Sequence, residues 1–131
     1  MITLTRAQAR LVMLKAQNLL TPMEQEPTRE DVLKTICDMG ALQIDTISVV
    51  ARSPYFSLWS RLGNYDPSWL DELLQEKALF EFWAHAACFL PMEDFPYHRR
   101  LGLTGMRSYY RPDWFEQNRA DCERVLEHIR Q

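Results

Sequence analysis

Helix-start and helix-stop signals divide the first part of the chain into short segments. Thr5 followed by Gln8 has the spacing of a capping box, and apolar residues recur at helical intervals from there to Leu20. A loop containing two prolines precedes Thr28, which we expect to cap a second helix that ends at Gly40. These signals indicate a small α-rich domain built from short helices.

The segment after Gly40 has a different pattern, since β-branched residues replace the helical periodicity. Its apolar positions do not lie on one helical face, so residues 42–48 are interpreted as a short strand or extended segment. Two further helices are expected, one capped by Ser53 and ending at Gly63, and one that opens at Asp66 before a proline.

The second part of the chain begins with an aromatic segment, residues 78–90, that we interpret as a strand or hairpin. A basic stretch punctuated by proline and glycine follows, and a long helix is expected from Asp113 onward.

The order of elements resembles a helix-turn-helix or winged-helix layout. The predicted fold is therefore mainly α with short β-strands, of winged-helix type. Residues 1–90 would form one winged-helix unit, and residues 91–131 a basic linker and the start of a second helical unit.

Composition limits the functional classes open to this chain. Its 131 residues are 47% hydrophobic and 25% charged, which is ordinary for a globular protein and excludes wholesale disorder and collagen. The three cysteines are far apart and form no C-x-x-C pair, so a disulfide framework and the common zinc signatures are absent. We recognise no signal peptide or bilayer span in the sequence. We expect a cytoplasmic protein without a metal, a cofactor or a membrane partner.

The distribution of charge is more informative than the net charge of −3. One acid-free stretch lies between residues 98 and 111, and another is bracketed by arginines at residues 52 and 61. Such stretches are either solvated surface or phosphate contacts, because guanidinium groups pair well with phosphate oxygens. The arginines of the two stretches are Arg52, Arg61, Arg99, Arg100, Arg107 and Arg111.

The sequence Gln43-Ile44-Asp45 is the strongest candidate for chemistry. In an extended segment, Gln43 and Asp45 project to one face while Ile44 projects to the other. An amide and a carboxylate side by side can hold a water molecule and stabilise nearby positive charge. On spacing alone, the alternative is that Asp45 is a cap and Gln43 an ordinary surface residue.

Two stretches of the chain resemble the AlkZ/YcaQ-type DNA glycosylases, which are winged-helix enzymes that excise alkylated purines and unhook DNA interstrand crosslinks. They are ALQIDTISVVARSPYFSLWSRLG and WLDELLQEKALFEFWAHAACFLPMEDFP. The resemblance is strongest from Gly40 to Pro96, and the reading Gln-Ile-Asp is closer to the YcaQ branch. It implies that the chain is an N-terminal portion of a longer enzyme, because members of this family have several hundred residues.

The resemblance also implies roles for particular residues. Gln43 and Asp45 would be the catalytic pair, with Gln43 orienting a water and Asp45 acting as electrostatic partner and base. His85 lies in the family signature WAHAA, and we place it with the arginines as a DNA-binding residue; a packed, hydrogen-bonded histidine is the alternative. The implied partner is double-stranded DNA with alkylated or crosslinked purines, bound by a monomer that associates with the nucleoid. A non-catalytic winged-helix regulator and a protein-interaction domain are the competing hypotheses.

Overall fold

The computed structural model describes residues 3–20, 23–44, 50–103 and 111–131. The chain forms two units, Met1–Phe95 and Pro96–Gln131. The elements of the first unit are α1 (Arg6–Ala16), α2 (Arg29–Met39), β1 (Leu42–Gln43), α3 (Ser53–Leu62), α4 (Ser68–Gln75), β2 (Leu79–Trp83), β3 (Ala87–Pro91) and a short 3-10 helix (Met92–Asp94). Those that follow are α5 (Phe95–Leu103), α6 (Pro112–Gln117) and α7 (Arg119–Arg130).

Both predicted N-terminal caps are present. Thr5 accepts a hydrogen bond from the backbone amide of Gln8 at 3.2 Å, and Thr28 accepts one from the amide of Asp31 at 3.3 Å. Each bond is part of a complete capping box. Helix α2 ends as predicted at Gly40, whose φ of 73° favours glycine. Local sequence therefore fixes where these helices begin.

Helix α1 is shorter than predicted, since it ends at Ala16 rather than near Leu20. Asn18 adopts a left-handed φ of 54°, a conformation that asparagine tolerates better than most residues. The amides of residues 18 and 19 donate back to carbonyls in the last turn at 3.0 and 2.9 Å. This arrangement is a Schellman motif, which satisfies those carbonyls and turns the chain away.

The starts of α3 and α4 differ from the prediction by one or two residues. Ser53 is the first residue of α3 rather than its cap, and Arg52 at the cap position makes no side-chain capping bond. The Ser53 hydroxyl instead donates to the main-chain carbonyl of Gln43 at 3.4 Å. Helix α4 begins at Ser68, and the Asp66 carboxylate two residues earlier accepts bonds from the amide and hydroxyl of Ser68 at 2.9 and 2.7 Å.

The three strands form an antiparallel sheet in the order β1-β3-β2. The predicted hairpin is confirmed as β2 and β3, and Cys88 of β3 lies opposite both Gln43 and Phe82. Of the extended segment expected over residues 42–48, β1 is the described strand, and residues 45–49 lie outside the described residues. A helix, a strand, two helices and a hairpin in this sheet order make a winged-helix fold, with α3 and α4 as its helix-turn-helix. The predicted fold class is confirmed.

The core lies between α2, α3, α4 and the sheet. Its buried members are Val32, Ile36, Leu42, Leu58, Leu62, Tyr65, Leu70, Leu73, Leu79 and Phe89. By spacing, the tryptophans 59, 69 and 83 are also expected in the core. This expectation is wrong for Trp59 and Trp83, which are 59% and 55% exposed, whereas Trp69 packs partly against the core.

The second unit is helical where it is described. Helix α5 occupies part of the segment interpreted as a linker. The single long helix expected from Asp113 is two helices, because Asn118 leaves helical geometry with φ −115° and ψ 20°. The Asn118 side chain donates to the carbonyl of Trp114 at 2.8 Å, which gives this carbonyl near the end of α6 a hydrogen-bond donor.

Within the described ranges, no helix has the length and apolar character to cross a membrane.

Candidate active site

The candidate site is built on β1, where neighbouring side chains face opposite ways. Leu42 is 2% exposed and belongs to the core, while Gln43 is exposed. Ile44 again packs partly against the core. The predicted alternation is therefore present over the described part of the motif, and it places the Gln43 carboxamide on the surface.

The Gln43 side chain contacts the turn that joins β2 to β3. His85 lies in this turn, and its Nε2 is 3.3 Å from Oε1 of Gln43. Both side chains are exposed. The sheet brings them together because β1 pairs with the start of β3, next to the turn. The histidine of the WAHAA sequence is thus a neighbour of the glutamine of the Gln-Ile-Asp sequence.

The backbone of β1 is fixed on two sides. The amide of Ile44 donates to the carbonyl of Ala87 at 2.8 Å, and the Ser53 hydroxyl donates to the carbonyl of Gln43. Cys88, opposite Gln43, is fully buried. Gln43 therefore projects from an anchored backbone. Its side chain can change position mainly by rotation about its own side-chain torsion angles. Sequence reasoning missed this role of Ser53, because the pair Ser53-Pro54 also matches an ordinary helix start.

The other half of the predicted catalytic pair, Asp45, lies outside the described residues, as does Arg107. The structure consequently brings together Gln43 and His85, and describes no partner at residue 45. Among the described residues, no group of three histidine, cysteine, aspartate or glutamate side chains could hold a metal ion.

The predicted phosphate-binding arginines of the first unit lie at opposite ends of α3. Arg52 is exposed and directly precedes Ser53, so it lies beside the anchored end of β1. Arg61 donates from Nε to the carbonyl of Gln17 at 3.0 Å and from Nη1 to the carbonyl of Ser57 at 2.7 Å. Burial lowers the pKa of Arg61. Its guanidinium is largely committed to protein oxygens, so Arg52 is the better placed of the two.

The remaining described arginines of the set belong to the second unit. Arg99 and Arg100 are exposed on α5, and Arg111 is exposed at the start of α6. Helix α5 itself contains these two arginines and no acidic residue.

Comparison with known protein families assigns the chain. The family model described as DNA glycosylase AlkZ-like matches residues 36–131, more than half of the chain. The chain belongs to the AlkZ-like DNA glycosylase family. No solved structure gives a significant match.

The AlkZ-like match includes the whole candidate site, from β1 through the hairpin that carries His85. It also includes α3 and α4, so the winged-helix core of this AlkZ-like chain lies mostly inside the matched residues. Helix α1 lies outside them. The resemblance recognised in the sequence is confirmed at the level of the family.

Proposed function

We propose that the protein is a monofunctional DNA glycosylase that hydrolyses the N-glycosidic bond of alkylated purines in double-stranded DNA, and that it unhooks interstrand crosslinks at the same bond. One observation carries the proposal within the family: the carboxamide of Gln43 is exposed on an anchored strand, at the first position of the Gln-Ile-Asp sequence. A polar side chain held on a rigid element can place a reactant accurately.

The proposed substrate explains why the site needs no strong general acid. A purine alkylated at N7 is cationic, so it leaves the sugar as a neutral base when the C1′–N9 bond breaks. The enzyme has to place water at C1′ and stabilise the oxocarbenium-like charge that develops there. A crosslinked guanine attached through N7 has the same leaving-group chemistry, which supports unhooking by the same step.

The two motif residues divide this work in the proposal. Gln43 orients the water, and the carboxylate of Asp45 stabilises the developing positive charge and accepts a proton from the water. The water oxygen forms the new bond to C1′ as the C1′–N9 bond breaks. The electron pair of the C1′–N9 bond returns to N9 of the base. The products are the free base and an intact abasic sugar.

Exposed arginines supply the phosphate contacts in this proposal. They are Arg52, Arg99, Arg100 and Arg111. The proposal adds Arg107 from the sequence alone, and Arg61 through the donors that its protein contacts leave unused. Phosphate contacts position the duplex and carry no sequence information, which suits an enzyme that acts on lesions.

The charge on α4 does not support the competing hypothesis of a winged-helix regulator. As the second helix of the helix-turn-helix, α4 holds the position that reads the major groove in such regulators. It carries Asp71 and Glu72, and it contains no lysine or arginine. Negative side chains at that position oppose insertion between phosphates.

The proposal is tested by release of 7-methylguanine from methylated duplex DNA under single-turnover conditions. We expect Gln43→Ala and Asp45→Asn each to lower the rate on the order of 10²- to 10³-fold, as loss of one preorganised polar or charged group in an active site does. Gln25→Ala and Asp113→Asn are matched controls at exposed sites and should retain the wild-type rate. The abasic product should stay unbroken until it is treated with alkali.

The same assay distinguishes the alternatives. Full activity in Gln43→Ala or Asp45→Asn would show that the site is assigned wrongly. An inactive wild-type protein whose DNA affinity falls steeply with salt would indicate a non-catalytic binder, and a flat dependence on salt would indicate a protein-interaction domain.

A further inference from the structure

The contact between His85 and Gln43 goes beyond the assignment of His85 as a DNA-binding residue. We propose that His85 is a positioning residue that fixes the orientation of the Gln43 carboxamide; the catalytic consequence rests on the function proposed above. The contact joins residues 42 positions apart, at a separation of 3.3 Å between Nε2 and Oε1.

The chemistry of the two atoms sets the direction of the bond. An amide oxygen only accepts hydrogen bonds, so Nε2 of His85 must carry the hydrogen, as in the neutral Nε2–H tautomer or in the imidazolium. The bond holds Oε1 of Gln43 toward the turn. The two amide hydrogens of Gln43 are then directed away from His85.

This orientation specifies how Gln43 treats the water. An amide hydrogen of Gln43 donates to one lone pair of the water oxygen, and the other lone pair remains for C1′. The hydrogens of the water then remain available to a base. Without His85, the carboxamide can rotate and present its oxygen, which would bind the water by the hydrogen that Asp45 is proposed to take.

The fold makes a positioning role more fitting than a stabilising one. The backbone at Gln43 is already held by the Ser53 hydroxyl and by the strand pairing with β3. Both side chains in the His85–Gln43 contact are exposed, so water competes for each group and the bond adds little to folding. What the bond controls is which end of the carboxamide faces the substrate.

Three variants test the role, all in the intact protein. His85→Ala should lower kcat by about tenfold to a hundredfold, because misplacement of about 1 Å costs on that order, and should leave KM nearly unchanged. His85→Gln should recover most of the rate, since its Nε2 lies the same number of bonds from the backbone and carries a donor. His128→Ala removes an exposed histidine on α7 and should leave the rate unchanged.

A double variant shows whether His85 acts through Gln43. In a Gln43→Ala background, His85→Ala should cause little further loss, because the group it positions is already absent. Additive losses would contradict the proposal. A rise in KM with unchanged kcat, together with a smaller slope of log affinity against log salt, would instead assign His85 to phosphate binding.

A spectroscopic measurement tests the contact without any reliance on activity. Long-range ¹H–¹⁵N correlation of the imidazole ring should show a hydrogen on Nε2 of His85, and Gln43→Leu should weaken that preference. A neutral Nδ1–H tautomer in the wild-type protein would overturn the proposal. The tautomer thus decides the contact even if 7-methylguanine release shows that the proposed function is wrong.

Discussion

Helices α1 and α2 begin in the same way and have the same length, yet only one of them contributes to the core. Each has 11 residues, and each starts with a threonine capping box. Helix α2 buries Val32, Thr35 and Ile36, whereas α1 buries none of its residues. The difference separates what a sequence specifies locally from what the fold adds.

The difference arises from the neighbours of each helix. Helix α2 packs against α3, α4 and β3, and its apolar side chains fill the space between them. The residues that directly follow α1 make polar contacts: Arg61 donates to the Gln17 carbonyl, and Asn18 donates to the Asp38 carboxylate at 3.2 Å. Caps determine where a helix starts, but burial requires a surface to pack against.

Truncating one valine in each helix should give the largest contrast. Val32→Ala should reduce the free energy of unfolding by about 2–3 kcal/mol, since burial of each methyl group is worth about 0.8 kcal/mol and a cavity remains. Val12→Ala should change it by less than about 0.5 kcal/mol, because Val12 is 57% exposed. Urea unfolding followed by circular dichroism measures both. Equal losses would mean that α1 packs against the protein in solution.

Removal of each cap should give a smaller contrast. Thr28→Ala should cost about 1 kcal/mol of global stability, because the capped helix α2 is part of the core. Thr5→Ala should loosen the first turn of α1 and leave the urea midpoint unchanged. Faster amide hydrogen exchange in α1 would detect the loosened first turn. A shift of the urea midpoint in Thr5→Ala would contradict the expectation that α1 contributes little to global stability.

Acid should distinguish the two capping boxes, since the third position is Asp31 in α2 and the uncharged Gln8 in α1. Hydrogen bonds from the Thr28 backbone and side chain lower the pKa of Asp31. A lowered pKa stabilises the folded state above the ordinary aspartate pKa of about 3.9, and that contribution is lost as the pH falls through the folded value. Stability should therefore fall less between about pH 5 and pH 3 in Asp31→Asn than in the wild type.

Urea midpoints measured across this pH range test the acid prediction. Asp113→Asn is the matched control, since Asp113 lies in α6 rather than in a capping box, and it should retain the wild-type pH profile. Identical profiles for Asp31→Asn and the wild type would contradict the role of the ionised cap.

The smallest effect is expected for the hydrogen bond from Arg61, at the end of α3, to the Gln17 carbonyl, just after α1. Arg61→Ala removes the bond to the Gln17 carbonyl, so the amides of α1 should exchange faster while those of α2 and α4 keep their protection. Arg52→Ala, at the other end of α3, is the control and should leave exchange in α1 unchanged. Unchanged amide exchange of α1 in Arg61→Ala would show that this hydrogen bond does not protect α1.

Local signals predicted much of the fold. The capping boxes, the glycine that ends α2 and the aromatic hairpin each depend on residues near one another in the sequence, and together they specify the winged-helix order. Prediction was wrong where two local signals competed. Ser53 could cap α3 or bond elsewhere, and the fold uses its hydroxyl to hold the Gln43 carbonyl. Asn118 likewise interrupts a pattern that reads as one continuous helix.

The candidate site was only partly accessible to sequence reasoning. Alternation in an extended segment correctly placed Gln43 opposite Leu42 and Ile44. The contact with His85 could not be derived in this way, because it depends on the register between β1 and β3. The exposure of Trp59 and Trp83 was missed for a similar reason: spacing shows that residues share a face, but not what covers that face.

The short turn at residues 84–86 makes the site sensitive to insertions and deletions. Strands β2 and β3 define the ends of this turn, so its residue count determines which side chain reaches Gln43. One added residue would leave the hairpin and its core contacts in place while presenting a different side chain to the carboxamide. Changes in loop length can therefore alter the chemistry of this surface while the domain continues to fold.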